Sequence, residues 1–131
     1  MSCRPDSTVA EAAQILRTAN IDAIAVMLDE KLHGLLTTRD MVRAAAEGAS
    51  PAQAVKHIMG TPPPAVAPQT SISDCVLAMS RADSNFVALT VDGTPDGVLL
   101  RLLSAADLQP AFGDNPQALL EEIAQDSAIA L

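Results

Sequence analysis

The chain has 131 residues, of which 49% are hydrophobic and 18% charged, and its formal net charge is −8. This composition excludes a wholly disordered chain, and the length fits one domain or two small units. Eight basic residues against sixteen acidic ones exclude a general nucleic-acid binder. The apolar runs are too short for a membrane span, and two cysteines are too few for a disulfide framework. We therefore predict a cytoplasmic protein that contacts neither membrane nor nucleic acid.

The first third of the chain predicts a helix, a hairpin and a second helix. Thr8 to Glu11 has the form of a capping box, and apolar residues at helical spacing extend the first helix over 8–19. Apolar runs predict strands over Ala23–Leu28 and about Leu32–Leu36, joined by a tight polar turn. A helix is then predicted from Thr38 to about Glu47.

The middle of the chain is rich in proline. A short helix is predicted over Pro51–Ile58, followed by a stiff extended stretch at 61–64. Ala65–Ala67 is predicted to be a short strand. These elements join the first pattern to a second copy of it.

The second copy is displaced by 63 residues at its start and by 67 after a longer hairpin turn. It predicts a helix over 71–82, strands over Phe86–Val91 and about Val98–Leu103, and a helix from Ser104 to about Gln109. The first copy lacks room for an equivalent of the leading strand at Ala65, so we expect that strand to be truncated. A further amphipathic helix is predicted to begin near Gly113.

The repeat divides the chain into four parts. Residues 1–48 form the first repeat, and 49–64 form a linker with a short helix and a proline-rich stretch. Residues 65–110 form the second repeat. Residues 111–131 form a terminal helix, which either packs on its own domain or extends toward a partner or a further domain.

Each copy closes with the same kind of segment, Gly34 to Asp40 and Arg101 to Asp107. This recurrence, with the join from Val55 to Pro68, resembles a tandem CBS-domain pair, also called a Bateman module, over about residues 5–110. The resemblance implies an α/β (α+β) fold. Each repeat would be helix–strand–strand–helix with a short leading strand, and the two would pack with pseudo-twofold symmetry.

The second half carries a narrower resemblance. Val91 to Asp96, Ser104 to Leu108 and Phe112 to Ile123 resemble bacterial signal-transduction proteins that join a cyclic-nucleotide-binding domain, a CBS pair and a nucleotidyltransferase-type domain. In such proteins the terminal helix leads toward the transferase portion, which these 131 residues do not include. The chain itself has no nucleophile elbow, phosphate-binding loop or carboxylate pair, so we predict that it is not an enzyme.

The CBS resemblance implies a ligand site for an adenosine-type molecule, AMP, ADP, ATP or S-adenosylmethionine, in the cleft between the repeats. The aspartate would accept hydrogen bonds from ribose hydroxyls, and the Ser/Thr three residues earlier would contact phosphate or ribose. Adenine would lie among aliphatic side chains, because the chain has only two aromatic residues. Carried onto this sequence, the ligand-binding residues are Thr37, Arg39, Asp40, Ile24 and Ala25 in the first copy and Ser104, Asp107, Val87 and Ala88 in the second.

The same residues also fit a purely structural interpretation. Thr37 with Asp40, and Ser104 with Asp107, have the spacing of ordinary helix caps. The first copy is favoured for phosphate, because Gly34 permits close approach and Arg39 supplies a charge. Arg101 replaces the glycine in the second copy. It is predicted to be a solvated surface residue, and the alternative is that it reaches inward to the second site.

Two functions follow from these alternatives. The first is a regulatory module that senses an adenosyl ligand, preferably AMP-like or uncharged, and controls an attached domain. It requires no cofactor and no metal, because His33 and His57 share no metal-ligand spacing with the cysteines. The second is a ligand-independent dimerisation module that associates as a homodimer through its helices.

Overall fold

The computed structural model describes residues 2–115 and 117–120. The chain divides into two compact units, Met1–Pro62 (unit 1) and Pro63–Leu131 (unit 2). Each unit contains a three-stranded mixed sheet and two helices. The architecture is therefore α+β.

The sheet of unit 1 contains β1 (Ser2–Cys3), β2 (Ala23–Leu28) and β3 (Lys31–Thr37), in the order β1-β2-β3. Strand β1 is parallel to β2, and β2 is antiparallel to β3. Ile24 pairs with Leu36, and Val26 pairs with Gly34, so this row of residues shares one face of the sheet. A single 3-10 turn follows the second helix. The elements are β1 (Ser2–Cys3), α1 (Val9–Ala19), β2 (Ala23–Leu28), β3 (Lys31–Thr37), α2 (Thr38–Ala46) and the turn Val55–His57.

Local signals account for the ends of these elements. The Thr8 side chain accepts a hydrogen bond from the Glu11 N–H and so caps α1. Asn20 ends α1 with φ of 54°, a left-handed conformation that asparagine tolerates. The hairpin between β2 and β3 is a two-residue turn in which Asp29 and Glu30 both have positive φ, 53° and 66°.

The core of unit 1 lies between the helices and one sheet face. Alternate strand residues contribute Ile24, Val26 and Leu36, and the helices add Ala12, Leu16 and Ala44. Burial of such side chains contributes about 25 cal/mol per Å² of apolar surface removed from water. The face that carries Gly34 is thus the face against which the helices pack.

Unit 2 repeats this arrangement with β4 (Ala65–Val66), β5 (Phe86–Thr90) and β6 (Leu99–Ser104), in the order β4-β5-β6. The parallel and antiparallel pairings are the same as in unit 1. Its hairpin turn is longer, and Gly93 there has φ of 77°. The described core includes Val87, Leu89 and Leu103 from the sheet. The elements are β4 (Ala65–Val66), α3 (Ile72–Ala82), β5 (Phe86–Thr90), β6 (Leu99–Ser104) and α4 (Ala105–Asp114).

In each unit a segment after the second helix returns to the start of the first helix. In unit 1 the N–H groups of Val9 and Ala10 donate to the carbonyls of Gln53 and Pro51, at 2.9 and 3.0 Å. In unit 2 the Ile72 N–H donates to the Ala118 carbonyl at 2.8 Å. These bonds satisfy N–H groups that a helix start otherwise leaves without a partner.

The fold departs from the sequence predictions at four places. The leading strand of unit 1, for which the sequence left too little room, is present as Ser2–Cys3 and has the same length as Ala65–Val66. The predicted helix over 51–58 is only the 3-10 turn, because Ala54 is extended and bridges Thr8. Residues 49–62, predicted as a linker, belong to unit 1.

The fourth difference concerns the end of the chain. α4 continues through Pro110 to Asp114, whereas the sequence ended this helix near Gln109 and began another near Gly113. Leu119 then bridges Ser71, and Leu120 lies in the unit 2 core. The remainder of the predicted terminal helix, residues 121–131, lies outside the described residues.

Candidate functional site

The Thr37–Asp40 cluster stands where β3 becomes α2. The carboxylate Oδ2 of Asp40 accepts hydrogen bonds from the N–H and the hydroxyl of Thr37, both at 2.9 Å. In return, the Asp40 N–H donates to the Thr37 hydroxyl oxygen at 3.1 Å. The structure thus brings the two predicted residues together as a reciprocal capping box.

Arg43 holds the other oxygen of the Asp40 carboxylate. Its Nη2 lies 3.1 Å from Oδ1 of Asp40 and also donates to the carbonyl of Ile58 at 3.3 Å. The Asp40 side chain is only 12% exposed, whereas that of Arg43 is 53% exposed. Both carboxylate oxygens of Asp40 therefore have partners within unit 1.

The Ser104–Asp107 cluster occupies the equivalent place between β6 and α4. Oδ2 of Asp107 accepts from the Ser104 N–H at 2.9 Å, and the Asp107 N–H donates to the Ser104 hydroxyl at 3.2 Å. Among the residues that the structure describes, Oδ1 of Asp107 has no hydrogen-bond or ion-pair partner. The position equivalent to Arg43 is Pro110, which cannot supply one.

These two boxes differ from the caps of the first helices. Thr8 and Ser71 each accept one backbone N–H, from Glu11 and Asp74 respectively. Within residues 2–115 and 117–120, neither acidic side chain returns a bond to the cap N–H. All four caps therefore have the same three-residue spacing in the sequence, but only two of them form reciprocal hydrogen bonds. In the part of the chain that the structure describes, only the boxes at Thr37 and Ser104 hold a carboxylate against the N–H of the cap residue.

Arg39, which was predicted to contact a ligand, and Arg101 lie in different environments. Arg39 is exposed on the first turn of α2, where it remains available to a phosphate. Arg101 is half-buried on β6, and its Nη1 is buried without a hydrogen-bond partner among the described residues. The prediction of a solvated surface arginine at position 101 is wrong, because its strand register places it beside Leu89 on the helix-packed face.

The residues predicted to line adenine fall into two classes. Ile24 and Val87 are fully buried in the helix-side cores, where they pack as structural residues. Ala25 and Ala88 are also buried, at 2% and 1% exposure, but alternate to the other sheet face. Contact of any of the four with a ligand stays a prediction, and the two alanines are its better-placed members.

The remaining chemically reactive groups do not form a site in the described chain. Cys3 and Cys75 are free and buried, and burial raises the pKa of Cys75 to about 11. Desolvation by burial raises the pKa of Cys3 as well, with the Glu11 charge adding to it. Among the described residues there is no cluster of three metal-ligating side chains and no helix able to cross a membrane.

The hairpin loop of unit 2 carries Asp92, a carboxylate with a perturbed pKa. The hydroxyl and N–H of Thr94 donate to Oδ1 of Asp92 at 2.7 and 3.0 Å, and these bonds lower the pKa of Asp92. The loop is further shaped by Gly97, since a Cβ there would collide with the Asp92 carboxylate. The arrangement is a self-contained turn.

Sequence reasoning missed the residues that complete the unit 1 site. Arg43 was not singled out, although an arginine three residues after Asp40 in a helix is a readable ion-pair signal. Met59 and Gly60 cover Gly34, and Leu35 exchanges two backbone bonds with Gly60. This contact joins positions 25 residues apart and has no local signature.

Comparison with known proteins places the fold in context. The CBS-domain family model matches residues 1–47 and 55–111. The CBS-domain protein NE2398 is 31% identical, with 85% of this chain and 87% of that chain covered and a TM-score of 0.69. No curated protein sequence matches significantly.

Two further solved structures contain adenosyl compounds. The CBS-domain protein PAE2072 of Pyrobaculum aerophilum, complexed with AMP, is 20% identical, with 95% of this chain and 91% of that chain covered and a TM-score of 0.74. The CBS pair of protein MJ0100, in complex with 5′-methylthioadenosine and S-adenosyl-L-methionine, is 21% identical, with 86% and 91% covered and a TM-score of 0.71. The family match spans both repeats, and the chain belongs to the CBS-domain family as a tandem pair.

Proposed function

We propose that this chain is a non-catalytic regulatory module that binds an adenosyl ligand and controls an attached domain. The observation that carries the proposal is the pair of reciprocal boxes, each holding an aspartate at the start of the second helix of a unit. A carboxylate accepts hydrogen bonds from both hydroxyls of a ribose, and such charge-assisted bonds contribute about 1.5–3 kcal/mol each. The AMP and S-adenosylmethionine complexes of two relatives support this ligand class.

The two boxes differ in how many acceptor positions their aspartate has left for ribose hydroxyls. Oδ2 of Asp40 already accepts two hydrogen bonds from Thr37, and Oδ1 already contacts Arg43. Asp107 keeps Oδ1 without a partner among the described residues, and Ser104 makes no hydroxyl-to-carboxylate bond like that of Thr37. Unit 2 is therefore our first choice for ribose binding. This reverses the preference for the first copy that the sequence indicated.

A thermal-shift panel followed by calorimetry tests the proposal. AMP, ADP, ATP, cyclic nucleotides and S-adenosylmethionine would be titrated against the protein. A ligand at ~100 times its Kd should stabilise the fold by about 2.7 kcal/mol. Asp107→Ala should weaken binding at least tenfold. Asp74→Ala is the matched control, because Ser71 to Asp74 has the same spacing without the reciprocal bond.

The outcomes separate ligand binding from simple capping. If Asp107→Ala lowers only stability, and no adenosyl compound shifts the unfolding temperature of the unaltered protein, the proposal is contradicted. If Asp40→Ala alone abolishes the shift, the ligand lies in unit 1 and the preference for unit 2 is wrong.

The attached domain is the less direct part of this proposal. The segments from Val91 onward that resemble signal-transduction proteins support an output domain of the nucleotidyltransferase type. A ligand regulates such a domain only if it binds two conformations of the module with different affinities. In the full-length protein, ligand should change the activity of the attached domain, and Asp107→Ala should abolish that change. The two free thiols and the adenosyl ligand class fit a cytoplasmic location.

A second candidate function is ligand-independent homodimerisation. It is favoured by apolar grooves on the helices, one of about 330 Å³ between α3 and α4 and one of about 590 Å³ along α1. Leu77 on α3 and Val42 on α2 are exposed at 46% and 64%. Sedimentation of the protein with and without AMP distinguishes a constitutive dimer from one that depends on ligand.

A further inference from the structure

The last strand of each sheet has an outer edge, and only the edge in unit 1 is covered. There, Leu35 of β3 exchanges two backbone hydrogen bonds with Gly60, at 3.2 and 2.9 Å, in an isolated antiparallel bridge. Leu102 of β6 holds the same place in unit 2, because it pairs with Ala88 as Leu35 pairs with Ala25. Among the described residues, no segment bridges Leu102 on its outer side. The β6 edge therefore has room for a further strand.

The backbone groups of Leu102 point away from the sheet. The Ala88 N–H donates to the Pro64 carbonyl at 2.9 Å, on the side of β4. Opposite residues in an antiparallel ladder either exchange both hydrogen bonds or exchange none, so Ala88 and Leu102 form a pair of the second kind. The N–H and C=O of Leu102 consequently face outward, as those of Leu35 do. An edge with unpaired backbone groups is a template for another strand.

Exposed apolar surface extends from this edge to the hairpin of unit 2. Five large hydrophobic side chains are exposed in the described chain, and three of them form what we call the hairpin patch: Val91, Val98 and Leu100, at 55%, 51% and 41%. The Val91 N–H donates to the Val98 carbonyl at 3.0 Å, which holds the two valines side by side. A strand that adds to β6 would bury part of this patch as well as bond to Leu102.

The loop beyond the hairpin patch carries negative charge. Asp92 and Asp96 are both exposed there. Hydrogen bonds from Thr94 lower the pKa of Asp92, so its carboxylate is ionised at neutral pH. No lysine, arginine or histidine lies between Arg81 and Arg101 in the sequence. A segment that lies along β6 and reaches the loop is therefore complementary in charge if it is basic at that end.

We propose that the β6 edge of unit 2 binds an extended basic segment of a partner protein, which adds a strand to the sheet. The antiparallel bridge at Leu35 in unit 1 supplies the orientation. A segment antiparallel to β6 has its carboxyl end at the hairpin, so its apolar residues contact the hairpin patch and its lysines or arginines follow beside Asp92 and Asp96. A strand rises about 3.3 Å per residue, and about six residues match the length of β6. Residues 121–131 of this chain do not fit, since they include three acidic residues and no basic one.

Titration of the full chain with synthetic peptides tests the proposal. The probe alternates valine with threonine and ends in lysines at its carboxyl end, and fluorescence anisotropy measures its binding. It should bind about tenfold more tightly than the same peptide ending in glutamates. Added salt should reduce this difference, and moving the lysines to the amino end should abolish it. In NMR spectra the largest shifts should occur at the backbone amide of Leu102 and at the hairpin patch.

Two changes address the backbone bonds at the edge. Leu102→Pro removes an N–H that faces outward, a place where edge strands tolerate proline, and should weaken binding of the lysine peptide about tenfold. N-methylation of alternate peptide amides tests the same bonds on the unaltered protein. Methyl groups on the amides that face β6 should abolish binding, and methyl groups on the other set should preserve it.

A pair of aspartate variants addresses the charge. Asp96→Asn should reduce the preference for the lysine peptide about threefold. Asp83→Asn is the matched control, because Asp83 is also exposed but ends α3 in a left-handed conformation that asparagine tolerates. It should leave both affinities unchanged.

The proposal is wrong if the lysine peptide does not bind, or if the glutamate peptide binds equally well. It is also wrong if both N-methylated peptides bind alike, or if the largest shifts lie on α3 and α4. The proposal does not depend on the adenosyl site, so none of these outcomes bears on ligand binding.

Discussion

The two units share a strand order, a helix-packed core and a returning segment, yet they arrange their charges differently. In unit 1 Asp40, Thr37 and Arg43 satisfy one another, and a glycine lies under the covering segment. In unit 2 neither Asp107 nor Arg101 forms an ion pair among the described residues. Duplication thus preserved the apolar framework, which depends on matching side-chain volumes, while the polar residues at the helix start diverged. A shared fold does not imply two equal sites.

The largest difference between the units should appear at the glycine position. Gly34→Ala places a Cβ 2.6 Å from Met59 Sδ and 2.8 Å from the Gly60 carbonyl, which its backbone bonds to Leu35 hold in place. We expect a loss of about 2–3 kcal/mol in the free energy of unfolding, measured by urea denaturation. Gly60→Ala is the control, since its nearest contact would be 3.6 Å. Equal losses from the two substitutions would contradict this account.

A pH-dependent difference should come from Cys75, which stands where unit 1 has Ala12. Burial raises the pKa of Cys75 from 9.0 to about 11, so the folded state favours the neutral thiol. The contribution of the neutral thiol to the free energy of unfolding is fully present below pH 9 and is lost as pH rises toward 11. The loss is on the order of 2 kcal/mol. Subtracting the pH profile of Cys75→Ala from that of the unaltered protein isolates it, and a flat difference would refute the buried-thiol explanation.

The two box aspartates should differ in their contribution to stability. Asp40→Ala removes both the reciprocal cap and the Arg43 ion pair, and we expect a loss of about 1–2 kcal/mol. Asp107→Ala removes only a cap and should cost about 1 kcal/mol. Thermal unfolding without ligand measures both. In an Arg43→Ala background the two losses should converge, and a persistent difference would mean that Arg43 is not its cause.

The smallest effect is expected in the hairpin turns. Glu30 has φ of 66°, and glycine adopts that conformation without steric cost. Glu30→Gly should stabilise unit 1 by about 0.5–1 kcal/mol. Asp96→Gly in the longer turn of unit 2 is the control, because Asp96 does not have a positive φ. Glycine there only raises the entropy of the unfolded chain, so this substitution should not stabilise unit 2. Stabilisation by both substitutions would remove the conformational explanation.

Much of this fold is predictable because its signals are local. Helical spacing and the caps at Thr8 and Ser71 predict α1 and α3, and apolar runs of strand length predict the four hairpin strands. Predictions from local sequence were wrong where contacts between distant residues determine the backbone conformation. Ala54 is extended because it bridges Thr8, 46 positions away, although its own sequence favours a helix.

A sequence signal for the returning segments was nevertheless present. Ser50-Pro51 and Asn115-Pro116 occupy matching places, and an apolar residue follows each proline by four positions, Val55 and Leu120. Interpreting the second pair as a helix start obscured the match. For the site, spacing predicted which side chains meet. The i, i+3 spacing of Asp40 and Arg43 also made their ion pair readable. The sequence could not reveal that Nη1 of Arg101 is buried, because that depends on tertiary packing.

The returning segments have a consequence for how each unit can be cut and rejoined. Val55 bonds Ser7 and Lys56 bonds Pro5, so the two ends of unit 1 run side by side. Circular permutation is best tolerated in a unit whose two chain ends lie close together, because a short linker can then join them. A permuted unit 1 could begin and end at the exposed hairpin turn, Asp29-Glu30, with its former ends joined. This permutation would break the turn and keep the pairings of β1 with β2 and of β2 with β3. By contrast, a fragment that stops at Gly48 lacks the returning segment. The N–H groups of Val9 and Ala10 in the first turn of α1 then lose their carbonyl acceptors.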